Sequence, residues 1–205
     1  SCAGCDVAVI GGGDTGSDCV GIARRQGAGK IYQIDIGPQP PEKEDKEAVW
    51  PDWPRKLTTS TSHEEGCERM WLTATKEILR DDEGAVRGIR CVKVFYEPGN
   101  RYPTEVEGSD FEIPVSRVFI AMGFFNPSHQ VVKAFGVETD VRCNVKANTE
   151  AGDHPFATSV EGVFACGDAR SGQSLVVRAM SEGRRCARWV DLYLMGETDL
   201  PAFRP

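Results

Sequence analysis

The hydrophobic pattern at the start of the chain predicts a strand, a helix and a second strand in succession. Val7, Ala8 and Val9 form a short apolar run that is typical of a buried strand. Apolar residues then recur at helical spacing over residues 19–23, and a glycine at 27 or 29 can end the helix. Residues 31–36 return to a strand pattern. The sequence therefore predicts a β-α-β unit with parallel strands.

A glycine-rich turn joins the first predicted strand to the helix. Gly11, Gly13 and Gly16 have the spacing G-x-G-x-x-G, and Asp14 and Thr15 complete the turn. The first glycine permits a tight turn, the second lets a pyrophosphate approach the main chain, and the third allows close packing of helix on strand. The helix N-terminus supplies free N–H donors and a partial positive charge. These features predict a dinucleotide-binding turn, with a purely structural turn as the alternative.

An acidic residue stands where such a unit binds a ribose. Asp35 lies nineteen residues beyond Gly16, near the end of the second predicted strand. Its carboxylate can accept hydrogen bonds from the adenosine ribose hydroxyls and would repel a 2′-phosphate. No Lys or Arg occurs in residues 32–37. The sequence therefore favours NADH over NADPH, unless Arg24, Arg25 or the following loop supplies a cation.

The segment after the second strand changes in character. Residues 37–56 are rich in proline and charge, which predicts a surface loop with Trp50 and Trp53 packed down on the protein. Residues 62–65 have the pattern of a capping box and predict a short helical turn. We interpret His63 in this turn as a structural residue rather than a proton donor.

The pattern changes to a period of two between residues 70 and 120. Residues 70–79 and 86–96 predict two strands joined by a turn at residues 81–84. A further short strand is centred on residues 111–113. The sequence therefore predicts an antiparallel meander inserted into a domain with a parallel sheet.

Another buried strand follows the meander. Residues 117–123 predict a parallel strand that ends at a glycine, where the ligand crevice of an α/β sheet lies. Ala121, Met122 and Gly123 are expected to form the wall opposite the glycine turn. The pattern breaks at residues 123–127, the predicted domain boundary. The first part of the chain is thus predicted to be a Rossmann-like NAD(P)-binding domain of the α/β class.

The C-terminal part repeats the order of strand, acidic turn and helix. Residues 131–135 predict a short helix, and residues 162–166 predict a strand. A final amphipathic helix is predicted over residues 173–195 and is ended by Gly196.

The turn before this helix carries a second candidate site. Gly167 and Asp168 follow the predicted strand, and Gln173, Ser174 and Leu175 begin the predicted helix. A carboxylate here can hold ribityl or ribose hydroxyls, and the helix dipole can favour a reduced, anionic flavin. The alternative is a plain strand–turn–helix without a ligand.

Composition excludes several classes of function. The net charge of −7 argues against binding of nucleic acid or an anionic membrane. No apolar run has the length of a membrane span and no signal peptide opens the chain, so we expect a cytoplasmic protein. Of the eight cysteines, only Cys2 and Cys5 form a C-x-x-C pair. Free thiols in a reducing compartment and no metal site are therefore expected.

Several motifs carry a resemblance to a known family. The most specific are Trp-Pro-x-Trp-Pro at residues 50–54 and Gly-Gln-Ser-Leu-Val-Val at residues 172–177. The chain resembles the small (beta) subunit of glutamate synthase, or the matching C-terminal region of single-chain forms. The likeness also covers residues 9–19, 38–41, 62–64, 75–77, 121–124 and 167–171. It spans nearly the whole chain.

The resemblance implies a flavoprotein with two dinucleotide-binding domains. Residues 1–123 would form the NAD(P)H-binding domain, and residues 124–205 the C-terminal portion of the FAD-binding domain. The family passes a hydride from NAD(P)H to FAD. Electrons then cross iron–sulfur clusters to FMN on the large amidotransferase subunit, which makes glutamate from 2-oxoglutarate and glutamine.

The family's leading FAD glycine motif and cysteine-rich N-terminal region have no counterpart in this sequence. The chain also begins without Met, one short step ahead of a core strand. We therefore expect a fragment that is colourless and inactive alone. FAD would belong to the intact protein, and iron–sulfur clusters to the missing region or the partner.

Two other functions remain open at this point. One is a flavoprotein that resembles thioredoxin reductase and uses Cys2 and Cys5 as its redox pair. In that family the pair lies further upstream, whereas Cys5 here directly precedes the first strand. The other is a non-catalytic nucleotide-binding module, which would bind a dinucleotide without exchanging a hydride.

Overall fold

The computed structural model describes residues 1–49, 56–148 and 154–202. The prediction that Trp50 and Trp53 pack on the protein concerns residues outside these ranges. The chain divides into two compact units, Ser1–Gly123 and Phe124–Pro205, and each is described by itself.

The first unit contains three described helices and eight strands. In chain order they are β1 (Val7–Ile10), α1 (Asp14–Arg25), β2 (Ile31–Ile34), α2 (Lys46–Val49), α3 (Thr61–Glu64), β3 (Glu68–Met70), β4 (Thr73–Arg80), β5 (Val86–Phe95), β6 (Thr104–Glu105), β7 (Phe111–Ile113) and β8 (Arg117–Ile120). The short helix α2 lies within the segment that the sequence predicts as loop throughout. The predicted β-α-β unit is confirmed.

A parallel sheet with the strand order β3-β2-β1-β8 forms the centre of this unit. Every strand pair in it is parallel, as the sequence predicts for β1, β2 and β8. Val7 and Val9 belong to an apolar cluster that includes Val20 and Ala23 of α1. Ala8, on the other face, belongs to a second cluster. Strand β1 is therefore buried on both faces, which explains its uninterrupted apolar run.

The antiparallel meander covers the second face of the parallel sheet. Strand β5 pairs with β4, β6 and β7. Ile89 and Cys91 of β5 share an apolar cluster with Ala8 and Ile34 of the parallel sheet. The first unit thus has three layers, with α1 on one side and the meander on the other.

The single strand predicted over residues 70–79 is wrong, because two strands occupy this region. Strand β3 pairs in parallel with β2 and ends at Met70, whereas β4 begins at Thr73 and pairs with β5. Leu72, between them, has a φ of +49°. Its N–H donates to the carbonyl of Gly37. A period of two continues through both strands, so the pattern alone does not reveal the change of sheet.

The second unit contains the helices α4 (His129–Phe135), α5 (Asp168–Ser171) and α6 (Val176–Met195). The strand predicted over residues 162–166 is not formed: Phe164 makes an isolated bridge to Ala157. A strand needs a continuous ladder, and this segment lacks one among the described residues.

The final helix begins at Val176, not at residue 173, because α5 and a turn at Gly172 precede it. Its buried residues are Glu182 and Cys186, whereas Val176 and Met180 are exposed. Within the described ranges, no helix combines the length and the apolar character that a membrane crossing requires.

Candidate functional site

A cleft of about 810 Å³ opens at the carboxyl ends of β1, β2 and β8. The strand order reverses direction at β1: β2 and β3 follow on one side, and the chain returns after the meander to place β8 on the other. Ligands of open α/β sheets bind at such a point. We call this space the strand-end cleft; its lining includes Gly11, Gly12, Gly13, Asp14, Thr15, Asp35, Ala121, Met122, Gly123 and part of β4.

Gly11 forms the tight turn at the end of β1. Its φ is +130°, a conformation that L-residues with a side chain rarely adopt. A Cβ at this position would lie 2.1 Å from the carbonyl oxygen of Ala121. Its N–H donates to the carbonyl of Ile34 at 2.8 Å. Gly11 is therefore required by the close approach of β8 and by the turn itself.

Gly13 is the N-cap of α1 and makes no side-chain cap. The first main-chain bond of the helix runs from the Ser17 N–H to the Gly13 carbonyl at 3.0 Å, so the preceding N–H groups have no acceptor within the helix. A Cβ built on Gly13 would meet no atom within 4 Å. The main chain here is open to an approaching anion. Asp14, in the first turn, is the acidic residue closest to that position along the helix.

Gly16 leaves room for a buried polar contact. A Cβ on Gly16 would lie 2.2 Å from the Gly11 carbonyl oxygen and 2.8 Å from Nε2 of Gln33. Gln33 lies on β2 and is only 2% exposed. Its Nε2 donates to the Gly11 carbonyl at 3.0 Å. Sequence reasoning missed Gln33; the signal was an amide at an otherwise apolar position of a buried strand.

His63 continues this network. Its Nε2 lies 2.7 Å from Oε1 of Gln33, and its Nδ1 accepts the Ser60 N–H at 3.1 Å. The predicted capping box is present, but Ser60 rather than Ser62 is the N-cap. Burial, with a smaller effect of the Arg69 charge, lowers the pKa of His63. The structural interpretation of His63 agrees with these contacts.

Asp35 directly follows β2 and lies half-buried at the strand-end cleft. Its Oδ1 accepts the N–H of Gly37 at 2.8 Å. Its Oδ2 occupies the space that a side chain on Gly12 would need. The carboxylate is therefore held beside the glycine turn.

Arg24 and Arg25, two of the three alternative sources of a cation, are engaged at the other end of α1; the third, the loop of residues 37–56, lies partly outside the described residues. Arg24 donates to the carbonyls of Ala28, Gly29 and Gly66. Arg25 pairs with Glu65 at 2.6 Å. Ten residues of helix separate Asp14 from Arg24, a distance of about 15 Å at the rise of an α-helix.

The wall formed by the end of β8 combines buried and exposed residues. Ala121 is 9% exposed, and its N–H donates to the Ile10 carbonyl at 2.8 Å. Met122 is 59% exposed, and Gly123 has a φ of +79°. All three line the strand-end cleft with the glycine turn.

The second candidate site lies at the start of α6. A cavity of about 470 Å³ is lined by Gly167, Ser174 and Arg178, among others. Helix α6 has neither a side-chain cap nor an acidic residue in its first turn. Its N-terminus and the Arg178 charge therefore suit an anionic group.

The remaining predicted residues of this site are neighbours of Gly167 and Ser174 along the chain but do not line the cavity. Asp168 begins α5, and Leu175 is the N-cap of α6. Gln173 donates its side-chain amide to the carbonyl of Phe124. Asp168, Gln173 and Leu175 are exposed. The structure therefore brings only Gly167 and Ser174 of the five predicted residues to the cavity lining.

Glu182 is a residue of this region that sequence reasoning missed. It is 5% exposed. Its carboxylate accepts the Gly167 N–H, the guanidinium of Arg170 at 2.9 Å from Nε, and the Ser171 hydroxyl at 3.0 Å. It therefore ties the Gly167 turn and α5 to the middle of α6. The signal was a glutamate on the apolar side of an amphipathic helix.

The cysteines form neither a disulfide nor a metal cluster in the described parts of the chain. Cys2 is 3% exposed and packs in the apolar cluster of β1 and α1. The Cys5 N–H donates to the Cys2 carbonyl at 3.0 Å. Cys2 is thus part of the core and the half-buried Cys5 packs against it, which disfavours their use as an accessible redox pair.

Comparison with curated proteins finds glutamate synthases. The chain is 43% identical over 198 residues to the glutamate synthase [NADPH] small chain of Mycobacterium tuberculosis H37Rv, covering 96% of this chain and 39% of that protein. It is 39% identical to the corresponding small chain of Bacillus subtilis, covering 97% and 41%. It is 37% identical to glutamate synthase [NADH] of Schizosaccharomyces pombe, covering 98% and 10%. The chain thus spans about two fifths of the small chains it matches.

Solved structures and family comparison agree on the fold. The Cu(II) complex of RclA, an HOCl-induced flavoprotein disulfide reductase from Escherichia coli, superimposes with a TM-score of 0.55. At 13% identity, covering 95% of this chain and 36% of that one, this likeness concerns the fold alone. The pyridine nucleotide-disulphide oxidoreductase family matches residues 4–183. With this match over most of its length and the α/β architecture described above, the chain belongs to the pyridine nucleotide-disulphide oxidoreductase family.

Proposed function

We propose that this chain is the dinucleotide-handling part of a glutamate synthase small subunit. It binds NAD(P)H in the strand-end cleft and passes a hydride to FAD. The observation that carries this proposal is the cleft itself, which combines the free N–H groups of α1, the open side of Gly13 and the Asp35 carboxylate.

The glycine turn fits a pyrophosphate. The position of a Gly13 side chain is empty, and the uncapped N–H groups of α1 provide donors. Asp14 is exposed and adds negative charge near this position. We infer that its side chain faces solvent when the pyrophosphate is bound. Thr15, next in the first turn, can donate through its hydroxyl.

Asp35 supports a preference for NADH. Its Oδ1 already accepts one hydrogen bond from Gly37, and its remaining lone pairs can accept ribose hydroxyls. Arg24 and Arg25 hold other partners. The relatives differ on this point, since two are named for NADPH and one for NADH. The proposal for this chain therefore depends on Asp35 and not on those names.

The cavity at α6 supports FAD as the second cofactor. The α6 N-terminus and Arg178 suit the negative charge of a phosphate or of a reduced flavin. FAD, when bound, accepts two electrons as a hydride from NAD(P)H. The protein's part is to bind and orient the two cofactors, so no catalytic side chain is assigned.

The proposed partner is the large amidotransferase subunit or domain of glutamate synthase. The names of the relatives support this assignment. Electrons would leave FAD through iron–sulfur clusters of the small subunit's remaining region or of the partner.

Calorimetry tests the proposal. NADH should bind the purified chain with one site, and binding should be lost in Gly13→Val. Dye reduction then distinguishes an enzyme from a nucleotide-binding module: with FAD and a dye acceptor added, NADH-dependent dye reduction is expected of a small subunit that contains this chain together with the rest of the FAD site, and not of the isolated chain. Failure of both NADH and NADPH to bind the folded chain would contradict the proposal.

The thioredoxin-reductase-like alternative has a separate test. Cys2 lies in the core, and its carbonyl is bonded to the Cys5 N–H. Replacing Cys2 by Ala and Cys5 by Ser within a small subunit that contains the whole FAD site should therefore leave dye reduction unchanged. Loss of activity in the folded double variant would favour that alternative.

A further inference from the structure

A continuous chain of polar side chains lies beneath the glycine turn. It begins at the Gly11 carbonyl, which accepts from Gln33, and continues through His63 to Ser60. The hydroxyl of Ser60 is bonded to that of Ser17 on α1. The chain therefore connects β1, β2, α3 and α1 by side-chain contacts, most of them partly buried. None of the four side chains lies in the lining of the strand-end cleft, which the chain reaches only at Gly11.

The first of these bonds determines where the neighbouring main-chain donor points. Gln33 holds the Gly11 carbonyl on the inner side of the turn. In a planar trans peptide, the C=O of Gly11 and the N–H of Gly12 point in opposite directions. The Gly12 N–H is therefore directed away from Gln33, on the side of the strand-end cleft that Gly12 lines.

The hydrogen bonds assign one protonation state to His63. Gln33 donates from Nε2 to Gly11, so its Oε1 must accept, and His63 Nε2 must carry a proton to donate. Nδ1 then accepts the Ser60 N–H at 3.1 Å and carries none. A second proton, on Nδ1, would place that N–H donor against the Ser60 N–H donor. Only neutral His63 satisfies the whole chain.

We propose that Gln33 and His63 are positioning residues for the phosphate-binding turn, and that dinucleotide affinity falls when His63 becomes protonated. This inference rests on the proposed NAD(P)H site. It gives Gln33 and His63 the role of orienting the turn, which cannot be predicted from the glycine motif or from the acidic residue at the end of β2. Neither residue touches the dinucleotide; both act through the Gly11 carbonyl.

The direction of the pH effect on dinucleotide affinity follows from the protonation state of His63 that the folded chain favours. Burial lowers the pKa of His63 below its ordinary value, so the folded chain favours the neutral ring. The contribution of this hydrogen-bond network to dinucleotide affinity is complete above the pKa of an unfolded histidine, about 6.5. It is lost as the pH falls through the lower pKa that His63 has in the folded chain. Of the charged residues on α3 and on the elements packed around it, Arg69 of β3 is the one whose charge lowers the pKa of His63. The others are Glu68 of β3, Asp14, Asp18, Arg24 and Arg25 of α1, Glu64 in α3 and Glu65 after it.

Titration of the chain with NAD⁺ between about pH 8 and pH 5.5 tests this inference. NAD⁺ is stable in acid, and its pyrophosphate does not titrate in this range. We expect the affinity of the unaltered chain to fall progressively towards low pH, by up to about tenfold where protonation of His63 is complete. His63→Gln retains an acceptor and a donor at a similar separation without titrating. It should bind NAD⁺ at every pH as the unaltered chain does at pH 8.

Two further variants complete the experiment. Gln33→Leu removes the bond to Gly11 and should weaken binding about tenfold at pH 8, with little pH dependence remaining. His129→Gln makes the same change at an exposed histidine of α4 and should keep the original pH profile. Thermal unfolding of each variant separates lost folding from lost binding.

The outcomes distinguish this inference from the proposed function. Absence of NAD⁺ and NADH binding at pH 8 would contradict the NAD(P)H site itself. Binding with a flat pH profile in the unaltered chain, or an unchanged profile in His63→Gln, would overturn the inference and leave the site intact. The comparison between the unaltered chain and His63→Gln decides the question even where Gln33→Leu does not fold.

Discussion

The carboxylate of Asp35 occupies the space in which a side chain on Gly12 would lie. A Cβ built on Gly12 would be 1.9 Å from Oδ2 of Asp35 and 2.6 Å from its Cγ. The middle glycine of the turn therefore has a second role besides the N–H that it directs at the strand-end cleft. Its lack of a side chain lets the carboxylate at the end of β2 approach the turn at the end of β1.

Gly12→Ala should displace the Asp35 carboxylate and weaken NADH binding. The Asp35 side chain is the group that must move, so the fold should persist while the proposed ribose contact is lost. We expect a loss of about 1 kcal/mol, the usual contribution of one hydrogen bond. Calorimetry measures it, and Gly183→Ala is the control, because a Cβ there meets no atom within 4 Å. Unchanged NADH affinity in Gly12→Ala would remove Asp35 from the binding site.

Asp35→Asn should reduce the discrimination between NADH and NADPH. The charged carboxylate repels a 2′-phosphate and accepts ribose hydroxyls, whereas the amide does neither as well. The preference for NADH in the unaltered chain should be on the order of 1–3 kcal/mol, and most of it should disappear. The measurement is the ratio of the two dissociation constants at physiological salt. Asp82→Asn, in the exposed turn after β4, makes the same charge change away from the cleft. Equal affinities of the unaltered chain for both cofactors would show that the preference does not exist.

Gly13→Val should abolish dinucleotide binding without unfolding the chain. Gly13 has φ −82° and ψ −174°, an extended conformation that valine adopts, and no atom lies within 4 Å of its Cβ position. The side chain would instead occupy the space of the pyrophosphate. Binding is followed by calorimetry and folding by circular dichroism.

Two comparisons make the Gly13 result specific. Gly11→Val should unfold or strongly destabilise the chain, because its Cβ would meet the Ala121 carbonyl at 2.1 Å. Gly183→Val introduces the same side chain in α6 and should leave NADH binding unchanged. A Gly13→Val chain that binds NADH normally would be incompatible with a pyrophosphate at this turn.

Glu182→Ala should destabilise the second unit by about 3–5 kcal/mol, because it leaves Arg170 without its buried partner. The change also removes the acceptor of the Gly167 N–H. Hydrogen exchange of the Gly167 amide should accelerate accordingly, while amides of β1 keep their protection. Glu161→Ala, at an exposed position, is the matched control. Protection of Gly167 that survives in Glu182→Ala would show that this carboxylate does not hold the turn.

The local pattern around the first glycine turn was sufficient to predict the centre of the first unit. Val7, Ala8 and Val9 are apolar without interruption because β1 is covered on both faces. Gly11 and Gly16 are needed for contacts between neighbouring segments of one β-α-β unit. Asp35 follows at a separation that the length of the helix dictates. Each of these relations is short in sequence, so spacing and residue type convey it.

The wrong strand predictions lie where one hydrophobic pattern is compatible with more than one structure. Alternation continues from β3 into β4, although the two strands join different sheets, because a period of two records pleating and not the pairing partner. The apolar residues 162–166 have strand propensity, but no described neighbour completes a ladder for them. Partner choice is decided by packing between distant segments.

The sequence by itself determined the β-α-β unit, the glycine turn and the acid at the end of β2. Only the tertiary structure decided the hydrogen-bond partners of Gln33, His63 and Glu182. A buried polar side chain must find a partner, and that partner can come from any element that folding brings near. Gln33 meets His63 thirty residues away, and Glu182 meets Gly167 fifteen residues away. Such pairings have no period or fixed spacing, because they satisfy hydrogen bonds across the folded chain rather than along it.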